Sequence, residues 1–351
     1  MMKKIFILLW CLVWIAGSGA AQVDPEPSFR DMLEVYEELF ADPEPLHLTL
    51  KFDVKKFQRT RRKEKYQPAE MTCTVNDTFR VTYPVRVKAR GNFRRDNCTV
   101  PPFWLNIRYS GIEVPELKGI KRMKMVIRCR QAGQYKNYIL REYLVYRIYS
   151  LISPYSFRTR LVKLKFIDTG RKNRMTEDWA FLIEPQDLMA RRLNGTAIKS
   201  DGLSMRSVNQ KVMDLLAMFH YMIGNGDYSI SGRHNLKILA LDSPAPPGFI
   251  PVPYDFDYTG LVNTHYAVPN EDLPIKDVRE RYFLGPCRSP ERFQRIIRQM
   301  ESHRDEIIRL IMDFEYLDQK EKEDMADYIL SYYQEAASNR FIEWNILRTC
   351  R

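Results

Sequence analysis

The chain reads as an α+β protein in two parts, a strand-rich N-terminal region followed by a helix-rich C-terminal one. Two period-two runs carry the first part: Leu46, Leu48, Leu50, Phe52 and Val54 alternate with polar residues, and Val81, Tyr83, Val85, Val87 and Ala89 alternate with Arg80, Thr82, Arg86 and Lys88. The second rests on Phe293, Ile296, Ile297, Met300, Ile307, Leu310, Ile311 and Phe314, which keep helical spacing.

The elements follow in order. Lys3 and Lys4, an apolar run over residues 5–16 and the small residues 17–21 have the make-up of a secretory signal peptide over residues 1–21. That predicts export, to the periplasm or the extracellular space. The apolar run is short of the roughly 20 residues that a spanning helix needs, and no later segment is longer without charges, so no transmembrane segment is expected after cleavage. Lys3 and Lys4 are the only charged residues of this leader, so its removal takes the formal charge from +11 to +9. A basic surface favours anionic partners, but no nucleic-acid recognition motif appears. Five cysteines remain, Cys73, Cys98, Cys129, Cys287 and Cys350. Export permits disulfides, and position along the chain suggests Cys73 with Cys98 and Cys287 with Cys350, without fixing the pairing.

Residues 22–45 form an extension with a helix over 29–40, and residues 46–193 form the strand-rich part. The basic run 55–65 reads as a solvated hairpin loop. Further strands are expected over 103–109, 123–127, 161–167 and 179–184, with a helix over 135–152 stopped by Ser153-Pro154. Strands, one helix, then strands is the order of an antiparallel sheet packed by a helix. Residues 194–351 open with the turn Asn194-Gly195 and a helix over 205–223, and close with helices beginning at Ser289-Pro290-Glu291.

Between those helices lies the segment built for chemistry, residues 223–260. It holds Asp227, then Asn235, then Asp255 and Asp257, separated by a strand-like run and a proline-rich bend. Phosphoryl transfer needs metal ions across phosphate oxygens and an acid beside the attacking hydroxyl. Magnesium takes carboxylate and amide oxygens, so Asn235 and Asp255 suit it as ligands, and Asp227 suits proton transfer. Asp255 and Asp257 are two apart, and on an extended strand end they would point the same way. Gly224, Gly226 and Gly232 allow sharp turns around Asp227.

The order Asn-Gly-Asp, a following Asn, and Pro-Tyr-Asp-Phe-Asp resembles the catalytic segment of the CotH family of spore-coat protein kinases, and more distantly the HipA-type kinases. Upstream, Arg90-Gly91-Asn92 resembles the Arg-Gly-Asn turn of that family, the stretch around Arg141 its arginine-bearing helix, and Phe181-Leu182-Ile183-Glu184 its strand ending in glutamate. The resemblance covers residues 88–260, about half of the chain. It implies an atypical protein-kinase-like, two-lobed fold, with a strand-rich N-lobe and a helical C-lobe. It implies Asp227 as catalytic acid/base, Asn235 and Asp255 as Mg2+ or Mn2+ ligands with Asp257 auxiliary, and ATP or another nucleoside triphosphate as donor. Arg90, Arg141 and Glu184 would shape the nucleotide cleft. Their plainer readings are a strand-end arginine, a helix-face ion pair and an exposed strand terminus.

The chain departs from the family at Val100-Pro101-Pro102-Phe103-Trp104, where a lysine-rich stretch is usual. A phosphate-anchoring lysine must then come from elsewhere, Lys124 first and Lys88 second. The expected activity is transfer to a hydroxyl of an envelope or secreted protein. The alternatives are a non-catalytic kinase-like binding module and a metal-dependent enzyme acting on phosphoesters or glycans.

Overall fold

The computed structural model describes residues 39–41, 43–74, 80–107, 121–199, 202–243 and 247–351. The expected leader and most of the expected N-terminal helix lie outside these residues. Seven strands close into a barrel in the order β1, β2, β3, β4, β5, β7, β6. They are β1 (Leu46–Phe52), β2 (Gln67–Thr74), β3 (Arg80–Ala89), β4 (Phe103–Asn106), β5 (Arg122–Ile127), β6 (Thr159–Asp168) and β7 (Arg174–Ile183). All neighbours are antiparallel except β1 and β6, which pair in parallel from Leu46 opposite Val162 to Phe52 opposite Asp168.

This closure overturns the two-lobed kinase-like expectation. The strands do not form an open sheet packed by a helix. Pairing β1 with β6 satisfies two edges that an open sheet would leave with unmet backbone donors and acceptors. The part beyond residue 194 is not simply helical either, because β8 (Gly195–Ile198), β9 (Leu236–Leu241) and β10 (Ile250–Pro253) form a second, antiparallel sheet.

The basic run is also not a loop. Asp53 caps the helix α1 (Val54–Thr60) by accepting from the backbone N–H of Lys56, and Val54 and Phe57, three apart, bury one face. Strand β2 escapes the sequence reading because Gln67 and Pro68 open it. Its inward residues Gln67, Ala69, Met71 and Cys73 still alternate with exposed or half-buried ones.

Inside the barrel, Leu48, Leu50, Met71, Val87, Phe103, Leu105, Met123 and Met125 form one core. On the side of β5, β6 and β7 the outer face is buried as well. There Leu161, Val126, Phe181 and Ile183 pack with α3 (Gln134–Ile152) and α5 (Gln210–Met222) into a second core. That core runs on through α6 (Pro290–Glu301), α7 (Arg304–Met312) and α8 (Gln319–Ala336). The short helices α2 (Phe93–Asn97) and α4 (Gln186–Arg192) complete the described set. No helix among the described residues is long and apolar enough to cross a membrane.

Two disulfides form, Cys98–Cys129 and Cys287–Cys350. The first corrects the suggested Cys73–Cys98 pair: Cys73 points into the barrel core, whereas Cys98 and Cys129 end α2 and β5 side by side. Cys287–Cys350 ties the C-terminal residues to the start of the helical segment across 63 positions. Replacing both of its cysteines by serine should lower stability by about 2–4 kcal/mol, read as an earlier midpoint in urea unfolding of the oxidised protein.

Candidate functional site

Helix α5 ends at Met222 while its residues are still apolar and buried, and Gly224 follows with φ +63°. That left-handed conformation suits glycine, and a Cβ there would also collide with the Tyr328 hydroxyl. Asn225 is buried just beyond. Its side-chain oxygen accepts from the Asp227 N–H at 2.8 Å, and its amide nitrogen bonds His220 Nδ1 at 2.9 Å. Burial pulls His220 down to about 3, which keeps the ring neutral and able to accept. Asp227 is thereby presented at a fixed point after the helix.

Eight positions separate Asp227 from Asn235, and the loop doubles back to remove that distance. Ser229 and His234 exchange two backbone hydrogen bonds, at 3.1 and 3.0 Å. Asn235 Nδ2 then donates to the Asp227 carbonyl at 2.8 Å and to Asp227 Oδ2 at 2.9 Å, while His234 Nε2 lies 2.8 Å from Oδ1. Both carboxylate oxygens of Asp227 are held.

Strands β9 and β10 bring the second acid to the same place. Pro253 lies opposite Leu236, and the Tyr254 N–H donates to the Asn235 carbonyl at 3.0 Å. Asp255 follows, its N–H donating to the Tyr146 hydroxyl of α3 at 2.8 Å. Arg233, Asn235 and Asp255 all have positive φ, +46°, +50° and +65°. Asn and Asp tolerate left-handed backbone better than most residues, and here it turns the chain sharply at both Asn235 and Asp255. The turn at Asp255 also overturns the expectation that Asp255 and Asp257 share one face of an extended strand.

Asp257 turns inward instead. It is buried, accepts from the Tyr266 hydroxyl at 3.1 Å and lies 3.8 Å from Arg94 Nη1. Arg94 also pairs with buried Glu142 of α3 at 3.2 Å and donates to the Ile127 carbonyl. Burial raises the proton affinity of Glu142 and of Asp257, and neighbouring acids add to it, against the pull of Arg94. Burial works against the Arg94 charge too, but Tyr266, Glu142, Asp257 and Asp255 outweigh it and raise its pKa.

Lys124 sits on the outer face of β5, where the barrel meets the helical core, and is 7 % exposed. Its ammonium lies 4.9 Å from the ring centre of Tyr254, 5.7 Å from Trp104 and 5.9 Å from Phe157. Lys237 of β9 approaches the same Tyr254 ring at 4.5 Å. Burial, then repulsion from Arg90 and Lys237, pull Lys124 down to about 7, with Asp255 opposing. Among the described residues neither Lys124, Lys237 nor the Arg90 side chain forms an ion pair, and the Asp255 carboxylate forms neither an ion pair nor a hydrogen bond. Three cations and one carboxylate therefore converge with no direct mutual pairing.

The other sequence candidates lie differently. Lys88 rests 5.5 Å from the Tyr66 ring and is separated from Lys124 by Trp104, its partner across β3 and β4. Arg141 is buried and anchors α3 to α8 through Glu321 at 2.8 Å and Asp324 at 2.6 Å. Glu184 is buried, not exposed, and takes Arg192 at 2.8 Å and the Arg158 N–H at 3.1 Å. Both are engaged by other residues of the chain. Arg94, Lys237, Tyr146 and Tyr266 escaped the sequence reading. Arg94 stands two residues after the Arg-Gly-Asn turn, which was the available signal.

No protein-family model matches this chain, and no curated protein matches it.

The set of oxygens suits a hard divalent cation. Among the described residues no three His, Cys, Asp or Glu side chains gather closely enough to hold a metal, but magnesium is held by one or two carboxylates with water and phosphate. Asp255 offers an unpartnered carboxylate, and Asn235, with its nitrogen engaged by Asp227, offers its oxygen. The proximity of Asp255 raises Asp257, and a divalent cation would relieve that repulsion.

Two outcomes follow from these charges. Arg94→Met leaves Glu142 and Asp257 buried without their cation, so it should destabilise by about 3–5 kcal/mol; adding Glu142→Gln should restore part of it in chemical denaturation. Lys124 has a folded pKa below its unfolded one, so the unfolded chain binds more protons between about pH 7 and ~10.4, and wild-type stability rises with pH there. Lys124→Met lacks this term. Its melting-temperature advantage over wild type should be largest near neutrality and narrow towards the alkaline end.

Proposed function

We propose that this chain is a divalent-cation-dependent phosphotransferase, with a site like that of the CotH-like kinases, that moves a phosphoryl group from a nucleoside triphosphate to a hydroxyl of an exported protein. The observation that carries this reading is the convergence of Arg90, Lys124 and Lys237 around Tyr254 and Asp255, next to the Asp227–Asn235 pair. Lys124 is buried and Arg90 and Lys237 are half-buried; without counter-ions among the described residues they favour a multiply charged anion, and a triphosphate supplies one. The reading rests on the site and not on the fold, since unrelated folds host the same chemistry.

Each residue has a part. Lys124, Lys237 and Arg90 would bind the donor phosphates, with the Tyr254 ring fixing both lysines. Asp227, oriented by His234 and Asn235, would accept the proton of the acceptor hydroxyl as its oxygen attacks phosphorus and the bond to the leaving diphosphate breaks. Asn235 and Asp255 would hold magnesium or manganese, with Asp257 behind them. Bound there, the cation would supply charge neutralisation across the phosphate oxygens. Arg94 and Tyr266 hold Asp257 in place and oppose the rise in its proton affinity that burial brings.

Incubating the protein with labelled nucleoside triphosphate, magnesium and a serine-containing acceptor tests this. Asp227→Asn should lower transfer by about 10²–10⁴-fold while leaving triphosphate binding intact. Lys124→Met should weaken triphosphate binding itself, and wild-type affinity should fall as pH rises above about 7, where Lys124 loses its proton. Binding without turnover in wild type would place the chain among non-catalytic modules; a triphosphate affinity that ignores both Lys124 and pH would remove the reading.

A further inference from the structure

The five residues of α2 join two charged places. At one end Phe93 and Arg94 face the acids: Arg94 reaches Asp257, and Phe93, 42 % exposed, contacts the Tyr258 and Tyr266 rings. At the other end Asn97, Cys98 and Thr99 form one wall of an open groove of about 610 Å³. Gln58, Arg59 and Arg61 of the α1 region form the opposite wall, and Arg130 closes it. The disulfide Cys98–Cys129 and the bond from the Thr99 N–H to the Cys129 carbonyl, at 2.9 Å, tie the first wall to the segment that carries Arg130, and Gln58 Nε2 ties the second to the Thr99 carbonyl at 2.5 Å.

The lining carries three guanidinium groups and no carboxylate. Arg61 donates to the Asp96 carbonyl at 2.8 Å and to the Cys98 carbonyl at 3.5 Å, and the Asp96 carboxylate, which pairs with Arg62 at 3.0 Å, also feels the Arg61 charge. Arg59 and Arg130 make no ion pair or hydrogen bond among the described residues. The cations inside the groove are all arginine, while Lys55 and Lys56 of the same helix are exposed outside it. Guanidinium forks match the paired oxygens of a carboxylate.

We propose that this groove receives an acidic segment of the protein acceptor. A helix of five residues is roughly 7 Å long, which an extended peptide crosses in two or three residues. Glutamate or aspartate a few positions from the reacting hydroxyl would reach Arg59 and Arg130, with the intervening peptide lying over Phe93. The word acceptor rests on the phosphotransfer reading; the anion site itself does not.

The test uses the full chain and a short fluorescein-labelled peptide of one serine flanked by glutamates, followed by anisotropy. Wild type and Asp227→Asn should bind it alike, more weakly as salt rises. Arg59→Ala/Arg130→Ala, which alters two exposed residues outside the catalytic cluster, should bind it at least about tenfold more weakly and keep its triphosphate affinity. A glutamine-for-glutamate peptide should not bind. Equal binding by the double variant overturns the proposal. So does a response of Arg59 and Arg130 to inorganic phosphate or to phosphatidylglycerol vesicles while the glutamate peptide fails to bind. Arginine-dependent peptide binding without any phosphoryl transfer would keep the groove and remove the kinase reading.

Discussion

One guanidinium holds the candidate site together. Arg94 is buried where the barrel meets the helical core and touches Glu142 of α3, Asp257 of the acidic segment and the Ile127 carbonyl at the end of β5. Each of those three elements comes from a different part of the chain, so none could be held by local sequence. Leaving two acids buried without a cation costs several kcal/mol, a large share of the stability of a typical domain. Asp257 is held by this charge together with the Tyr266 hydroxyl on its carboxylate and the Thr264 hydroxyl on its carbonyl.

The site above that anchor is polarised. Asp227 is held on both oxygens by neutral or weakly basic groups, His234 and Asn235. Among the described residues Asp255 is held through its backbone, by Tyr146, and its carboxylate makes no hydrogen bond or ion pair. The first acid is therefore fixed in direction, and the second has its carboxylate available. Around the second, Lys124 and Lys237 share one tyrosine ring instead of a carboxylate. An aromatic face attracts a cation without neutralising it, so the lysines keep their capacity for an anion.

Much of the local structure was legible in the sequence. Period-two alternation located β1 and β3, helical spacing located α6 and α7, the stop at Ser153-Pro154 marked the end of α3, and the acids with their glycines located the loop after α5. The closure of the barrel was not legible, because nothing in the alternation of Leu46 to Phe52 records which strand will lie beside it. The basic run hid α1, since only Val54 and Phe57 of its seven residues are buried and its cap lies in a lone Asp53. At the site, the acids could be read from residue type and order, whereas Arg94 and Lys237 depend on partners far along the chain. Arg141 and Glu184 show the converse: a charged residue in a suggestive motif was already matched by Glu321, Asp324 and Arg192.

The parallel seam between β1 and β6 bears on how the molecule is made. Leu46 cannot meet Val162 until more than a hundred intervening residues have been delivered, and such distant contacts are slow to find because the chain must first surrender the freedom of the loop between them. Until then β1 has only β2 as a neighbour, and its other side is an adhesive edge open to other chains. For a polypeptide that emerges N-terminus first, the cylinder closes only when β7 enters between β5 and β6, and until then assembly is slow and exposed to mispairing.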